Sequence, residues 1–497
     1  MLKQKLKTSF LSKLFVQLFQ LGATIVVARI AGPTVLGTIA FGLAFVNMFA
    51  FIGSLGLGSA HVKIIHEEED KAKCAGTYAI LHIASKLMFF FIVIIYFVIQ
   101  KYVLHFPFES RDHEIVIMIF MGMILVNTLS EIPQANFAAN MEQAKQDIPE
   151  IIRNLFLQPA RIITVLLGGV AISLAFVNLV SAIIVIPVYW YLSRNIKYGK
   201  FDFNLSKRYF KYGIPLVVLA LASSLGNTID KVILQYFTNS ETVGYYTAGF
   251  KIGGYFLIIG QSAGMLFYPY FSKVISNNEE FRIEEKISQY ENFLFLFVMP
   301  VMIFLSIYSH TLVMAVLGKQ YIPSIPVLTI ITLAQFIFLL NIPYGNLLSG
   351  MGYFKLVAIV NIVFIIVFTL LLVCFVHPQI FNLSAKGAAY AFFLSKTFLA
   401  AMYVFFGSRK MAVFNVKRYF KFLSFGLITF LLFYFIYIKC VIGNTGLTII
   451  FPGMFFLFSY ISYYLFGWMK NDDWNLLLSA LHLKPMLIYI KQELFKK

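Results

Sequence analysis

Two stretches decide the fold: IPQANFAANMEQAK at residues 132–145 and IPYGNLLSGMGYFK at residues 342–355. Ile132, Pro133, Asn136, Met141 and Lys145 recur as Ile342, Pro343, Asn346, Met351 and Lys355, each at an offset of 210 residues. Five matches in register are the mark of an internal duplication, which fixes architecture before any single element is assigned. A second set agrees with it. Gly37, Gly42 and Gly53 recur as Gly244, Gly249 and Gly260 at an offset of 207.

The medium around these repeats is lipid. The chain has 497 residues, 60% of them hydrophobic and only 12% charged, with a mean hydropathy of +0.81, far from the balance of a soluble domain. Runs of roughly 20 apolar residues cross a hydrocarbon core of about 30 Å. Fourteen such spans are expected, at 9–30, 36–60, 75–100, 115–136, 150–169, 172–193, 212–236, 242–270, 287–309, 324–348, 355–377, 386–408, 419–440 and 446–468. Six spans separate the copies, an even number, so both copies keep one membrane orientation and are related by an axis along the membrane normal. The expected class is an all-α integral membrane protein with about 14 transmembrane helices. It has two parallel-repeat six-helix lobes, at 1–200 and 201–410. A C-terminal helical hairpin and cytoplasmic tail follow at 411–497.

The net charge of +18 would suggest nucleic acid in a soluble protein. Here Lys and Arg gather in short connections such as 194–211 and 409–421, where the positive-inside rule puts them. Nucleic acid is therefore excluded as a partner, and both termini and loop 61–74 are assigned to the cytoplasm, with 101–114 and 310–323 outside. Glu67, Glu68, Glu69 and Asp70 read as a solvated loop, and His105, His113 and His377 as solvated histidines of outer connections. Cys74, Cys374 and Cys440 show neither metal-ligand spacing nor a disulfide pattern.

Charges inside spans carry the functional reading, because each costs at least ~2.5–3.5 kcal/mol near mid-membrane. The cations are Lys86, Arg153, Arg161, Lys231, Lys251 and Lys396, with Arg29 at the outer end of the first span; the acids are Glu131, Asp230 and Glu291. Cations exceed acids, which favours an anionic substrate group gripped by Arg forks and Lys point charges. Polar stripes accompany them: Ser9, Lys13, Gln17, Gln20 and Thr24; Asn127, Glu131 and Gln134; Asn154, Gln158 and Arg161; Ser223, Asn227, Asp230 and Lys231. Such faces can enclose a wet cavity between lobes. Arg29, Arg153 and Glu291 lie close enough to span ends to snorkel. Asp230 and Glu131 are candidates for ion coupling or for charge pairing with a lysine, and Pro133 and Pro343 are candidate hinges.

The stretch Ala28-Arg29-Ile30-Ala31-Gly32-Pro33, followed by Gly37, Phe41 and Gly42 and later by Gly56-Leu57-Gly58, resembles the first-to-second helix region of the polysaccharide-transporter family. That family includes Wzx-type O-antigen flippases of the multidrug/oligosaccharidyl-lipid/polysaccharide flippase superfamily. The resemblance implies movement of an undecaprenyl-diphosphate-linked oligosaccharide from the cytoplasmic to the outer face of the bacterial inner membrane. The glycan would be a repeat unit of O-antigen, capsule or exopolysaccharide, carried by alternating access through a cationic inter-lobe cavity. It also implies membrane lipids as surroundings, and polysaccharide polymerase and chain-length machinery as candidate partners.

Two relatives in the superfamily stay open, an ion-coupled multidrug exporter and a lipid II flippase. A cationic-drug exporter would concentrate acid in the first lobe, where Glu131 is the clear intramembrane acid. A membrane glycosyl- or acyltransferase is disfavoured: the outer loops are short, and no Gly-x-Ser-x-Gly elbow is present. No phosphate-binding loop or His/Cys metal set occurs in the sequence, so neither catalysis nor a cofactor is expected.

Overall fold

The computed structural model describes the backbone of residues 2–468, apart from 104, 106–107, 256, 278, 280, 412–413 and 442–444. Side chains are described from Val16 onward, apart from those residues and 215, 219, 257–259, 261–262, 265–266 and 445. The side chains of Ser9 and Lys13, and the tail beyond 468, lie outside what is described. Every element among the described residues is helical. Eleven helices there are long and apolar enough to cross a membrane.

Three of the fourteen expected spans fall short, each for a local reason. Residues 36–60 are divided among the end of the Leu2–Met48 helix, Ala50–Ser54 and Leu57–Glu67, with Leu55 (φ 40°) and Gly56 (φ 68°) left-handed at the last break. Residues 242–270 are likewise divided, between Ser240–Gly254 and Leu257–Ser276. Gln143–Leu166 is continuous, but Glu150, Arg153, Asn154, Gln158 and Arg161 make it too polar to qualify.

The chain divides into two compact units. An amino-terminal unit comprises Ser9–Ala248 with Ile365–Ala388, and a carboxy-terminal unit comprises Met1–Thr8, Gly249–Phe364 and Ala389–Lys497.

Inside the amino-terminal unit the first helix reverses at Gly32 (φ 81°, ψ 172°). Before it, Gln20 meets Asn154 and Val27 packs with Val165, both partners on the Gln143–Leu166 helix, so the two segments run parallel. After it, Phe41 stacks near Phe108, Phe49 near Tyr96 and His61 on Tyr78, a progression back along the Lys71–Val98 helix. Only a positive-φ residue can turn a helix over in one step, and glycine takes that conformation without steric cost. Pro33 then starts the return helix, where its missing N–H is no loss. Gly37 and Gly244 lie backbone to backbone just beyond the turn, Gly37 against Ser240 and Gly244 against Pro33, so a side chain at either would force the segments apart.

The duplication has matching contacts in each unit. Pro133 is buried within the uninterrupted Arg111–Ala139 helix and Pro343 within Ile325–Gly350. In both, the asparagine three residues on bonds back to the carbonyl preceding the proline: Asn136 Nδ2 to Ile132 O at 3.0 Å and Asn346 Nδ2 to Ile342 O at 2.8 Å. A methyl added at Gly42 would meet Val116 Cγ1 at 2.6 Å, and one at Gly249 would meet Val327 Cβ at 2.9 Å. Each helix ends in the same six-to-one turn, Glu142 N to Phe137 O and Tyr353 N to Leu348 O, both 2.9 Å. The left-handed residue there is Met141 (φ 56°) in one copy and Gly352 (φ 83°) in the other. The turn therefore repeats at 211 residues, one more than the sequence motif, because the second copy moves its strained position onto a glycine.

Candidate functional site

The amino-terminal unit gathers its charges around Glu131, two residues before Pro133 on the Arg111–Ala139 helix. His82 and Lys86, one turn apart on Lys71–Val98, both reach Glu131 Oε2, His82 Nε2 at 2.8 Å and Lys86 Nζ at 2.8 Å. Gly53 makes room for this: a methyl there would press on Lys86 Cδ at 3.0 Å. Ser85 fixes the junction by donating to Gly53 O and His82 O. Lys86 is 8% exposed, whereas the Glu131 side chain keeps 35% exposure, so the acid faces open space and the lysine does not.

From His82 a column of rings runs along the unit: His82 on Tyr78 (5.3 Å), Tyr78 on His61 (4.4 Å), and His61 beside Tyr209. His61 is enclosed, with Nδ1 2.7 Å from Tyr209 Oη and Nε2 3.1 Å from Asn136 Oδ1. Asn136 of the repeated motif thus serves both the proline turn and this column.

Asp230 is 2% exposed and held by Lys231 Nζ at 3.0 Å and by the Tyr246 hydroxyl, which donates at 2.8 Å. That is charge pairing with a lysine, one of its two expected roles. On Gln143–Leu166 the expected stripe is a hydrogen-bonded ladder: Asn154 donates to Glu150, Gln158 and Gln20 donate to Asn154 Oδ1, and Arg161 donates to Gln158 Oε1 at 3.2 Å. Arg153 lies 3.4 Å from Ser181 Oγ and 4.0 Å from Glu150. Arg29 is exposed beside the Gly32 turn.

In the carboxy-terminal unit, Lys251 is exposed in the last turn of Ser240–Gly254. Lys396 is half-buried over Phe338 and Phe364, both 4.5 Å from its Nζ. Cation–π contact of this kind stabilises an ammonium out of bulk water.

Two expectations need correction. Glu291 does not snorkel: it is 0% exposed, paired to Arg418 at 2.9 Å and accepting from Tyr344 (2.7 Å) and Tyr419 (2.6 Å). Arg418 had read as one of many basic loop residues; no local signal marks it, since its partner is 127 residues away. His113 is not solvated but 2% exposed, between Ser110 and Ser240. The acidic loop is solvent-exposed as expected, and Glu67 and Glu68 also pair there with Arg208.

Glu109 escaped the sequence reading altogether. Its Oε2 accepts from Ser240 N (2.8 Å), Ser240 Oγ (2.5 Å) and Gln235 Nε2 (2.5 Å). Burial would raise its carboxyl, but the Ser240 and Gln235 hydrogen bonds outweigh it and hold the group below the usual carboxylate range. Arg208 and Glu109 thus fasten opposite ends of the Phe203–Phe237 helix to the preceding spans of the same unit.

Comparison with known proteins follows this geometry. The family described as polysaccharide biosynthesis protein matches residues 26–326. A teichuronic acid biosynthesis protein, TuaB, of Bacillus subtilis is 26% identical over 168 residues, which is 33% of this chain; the matched stretch spans about a third of TuaB, 34%. Among solved structures, the lipid II flippase MurJ in an inward closed conformation superposes with a TM-score of 0.72 at 15% identity, covering 91% of this chain and 98% of that one. An inward-facing multidrug resistance MATE transporter of the MOP superfamily gives 0.63 at 13% identity, covering 80% and 94%. At such identities the likeness establishes the fold: a multi-pass helical membrane protein built as these transporters are.

Proposed function

This chain belongs to the polysaccharide biosynthesis protein family, and from that premise we propose that it is a flippase for an undecaprenyl-diphosphate-linked oligosaccharide. It works in the bacterial cytoplasmic membrane, with both termini inside, and moves its substrate outward by alternating access. The family match over residues 26–326, on a transporter fold and not an enzyme fold, carries the reading. The two copies of the duplication supply the two rocking parts, each with its own proline, Pro133 or Pro343, as the hinge.

Arg161, Lys251 and Lys396 meet the diphosphate, with Lys231, Arg29 and Arg153 as lesser contributors, while the prenyl tail stays in lipid; Lys86, enclosed against Glu131, serves that acid instead. Each negative charge carried outward gains ~2.3 kcal/mol per 100 mV of inside-negative potential, so no nucleotide is needed. The excess of intramembrane cations over acids also favours this reading over an exporter of cationic drugs.

The test is depletion of the protein followed by assay of membrane-sided lipid-linked glycan. Intermediate should accumulate on the cytoplasmic face, and the Ala variants of Arg161, Lys251 and Lys396 should reproduce that block at normal expression. Normal surface glycan in all three variants would sink the cationic contact. Rescue of cells depleted of their lipid II flippase would identify lipid II as the substrate instead.

A further inference from the structure

A cavity of about 590 Å³ opens inside the amino-terminal unit, at the end opposite the Glu67–Arg208 pairs. That volume is in the range of small-molecule sites, ~300–1,000 Å³. Five aromatic residues line it: Phe41, Phe45, Phe108, Tyr96 and Tyr236. Their rings stand at steep angles, Phe45 edge-on to Phe108 at 5.6 Å and tilted against Tyr96 at 5.8 Å, so they form walls and not one continuous stack. The polar lining is Gln100, Gln235, Glu109 and Thr238, whose hydroxyl is spent on Leu234 O. Gln235 is 9% exposed; its Nε2 is committed to Glu109, which fixes the amide orientation and leaves Oε1 buried without a partner among the described residues. Gln100 Oε1 is in the same state. The exposed acceptor of the wall is the Glu109 carboxylate, its side chain 39% exposed, with the two unpaired amide oxygens just behind the surface, beside apolar ring faces.

We infer that this cavity is a saccharide site, binding one or two pyranose units of the cargo after they reach the outer face. The C–H face of a pyranose packs against aromatic rings, and its hydroxyls are donors for the exposed Glu109 carboxylate and, after a small side-chain turn, for the two unmet amide oxygens behind it. An acyl chain would leave those acceptors unpaired. A uronic acid or phosphate would meet Glu109 with like charge. The cavity thus selects neutral or amino sugars, and it recognises the glycan separately from the diphosphate. This rests on the reading of the chain as a glycan flippase and adds the outer subsite to it.

The experiment uses the full chain in nanodiscs on an array of neutral, amino and uronic pyranosides and their short oligomers. Binding is expected for neutral or amino sugars and not for uronic ones. It should weaken about tenfold in Tyr96→Ala and in Glu109→Gln. Tyr96 is 36% exposed, so its removal opens no core, and Tyr236→Ala, at 56% exposure, provides a second ring variant. A blank array, or binding indifferent to all three substitutions, would overturn the proposal. The flippase reading has its own readout: a blank array with intermediate still accumulating on depletion removes only the outer site. Sugar binding with export intact after depletion removes the flippase reading and leaves the site standing.

Discussion

Glu131 and Glu291 are both acids on membrane helices, yet their surroundings differ in kind. Glu291 is wholly enclosed, gripped by Arg418 and two tyrosines; an arginine keeps its proton at any physiological pH, so the cation of that pair is permanent. Glu131 keeps 35% of its side chain open and is held by a histidine and a lysine one turn apart on the Lys71–Val98 helix. A buried carboxylate is therefore no evidence of function by itself. What distinguishes a working group from a rivet is access and the kind of partner. Glu291 ties the Phe281–Phe293 helix to Val416–Ile436 of the terminal hairpin, and Phe295 stacked on Phe422 at 4.7 Å reinforces that seam.

The sharpest way to break the contrast is Arg418→Ala. It leaves Glu291 charged and dry, which should cost about 3–5 kcal/mol, read as loss of thermal stability in detergent. Combining it with Glu291→Leu should restore most of that, since an apolar pair of similar volume often replaces a buried ion pair at little cost. If Arg418→Ala melts normally but abolishes export, the two acids are alike and the contrast fails.

A smaller stability effect is expected from Glu131→Gln, about 1–3 kcal/mol from the bonds lost at Lys86 and His82. Its export should nonetheless fall at least tenfold, seen as lipid-linked glycan held on the cytoplasmic face. Unchanged export would place Glu131 with Glu291 among structural pairs.

The smallest effects compare the two copies of the turn. Met141→Gly should add about 0.5–1 kcal/mol by relieving a left-handed side chain, and Gly352→Ala should cost about 1 kcal/mol. Melting temperatures check both, and equal responses would mean the two turns are not the same device.

Much of this was legible because it is periodic or repeated. The Ile-Pro-x-x-Asn motif has a physical meaning in each copy, Asn136 and Asn346 bonding back beside their prolines. The polar stripe of Gln143–Leu166 became a ladder. What sequence could not show were pairings at long separation: Arg418 with Glu291, Arg208 with Glu67 and Glu68, Glu109 with Gln235 and Ser240. Each of those residues looks like ordinary end-of-helix polarity until folding supplies its partner. Helix breaks at Leu55 and near Tyr255 were hidden for another reason, because hydropathy does not register where the backbone changes hand.

The one-residue reversal at Gly32 bears on how the chain is made. Between the first two crossings there is no hydrophilic stretch to be hauled through the bilayer, only Arg29 near the turn. The two helices can thus enter the membrane together as a closed hairpin, with Lys3, Lys5 and Lys7 setting the direction of both at once. Residues inserted at this point would not lengthen a loop. They would create one, and separate two helix ends whose terminal carbonyls and amides would then need new partners.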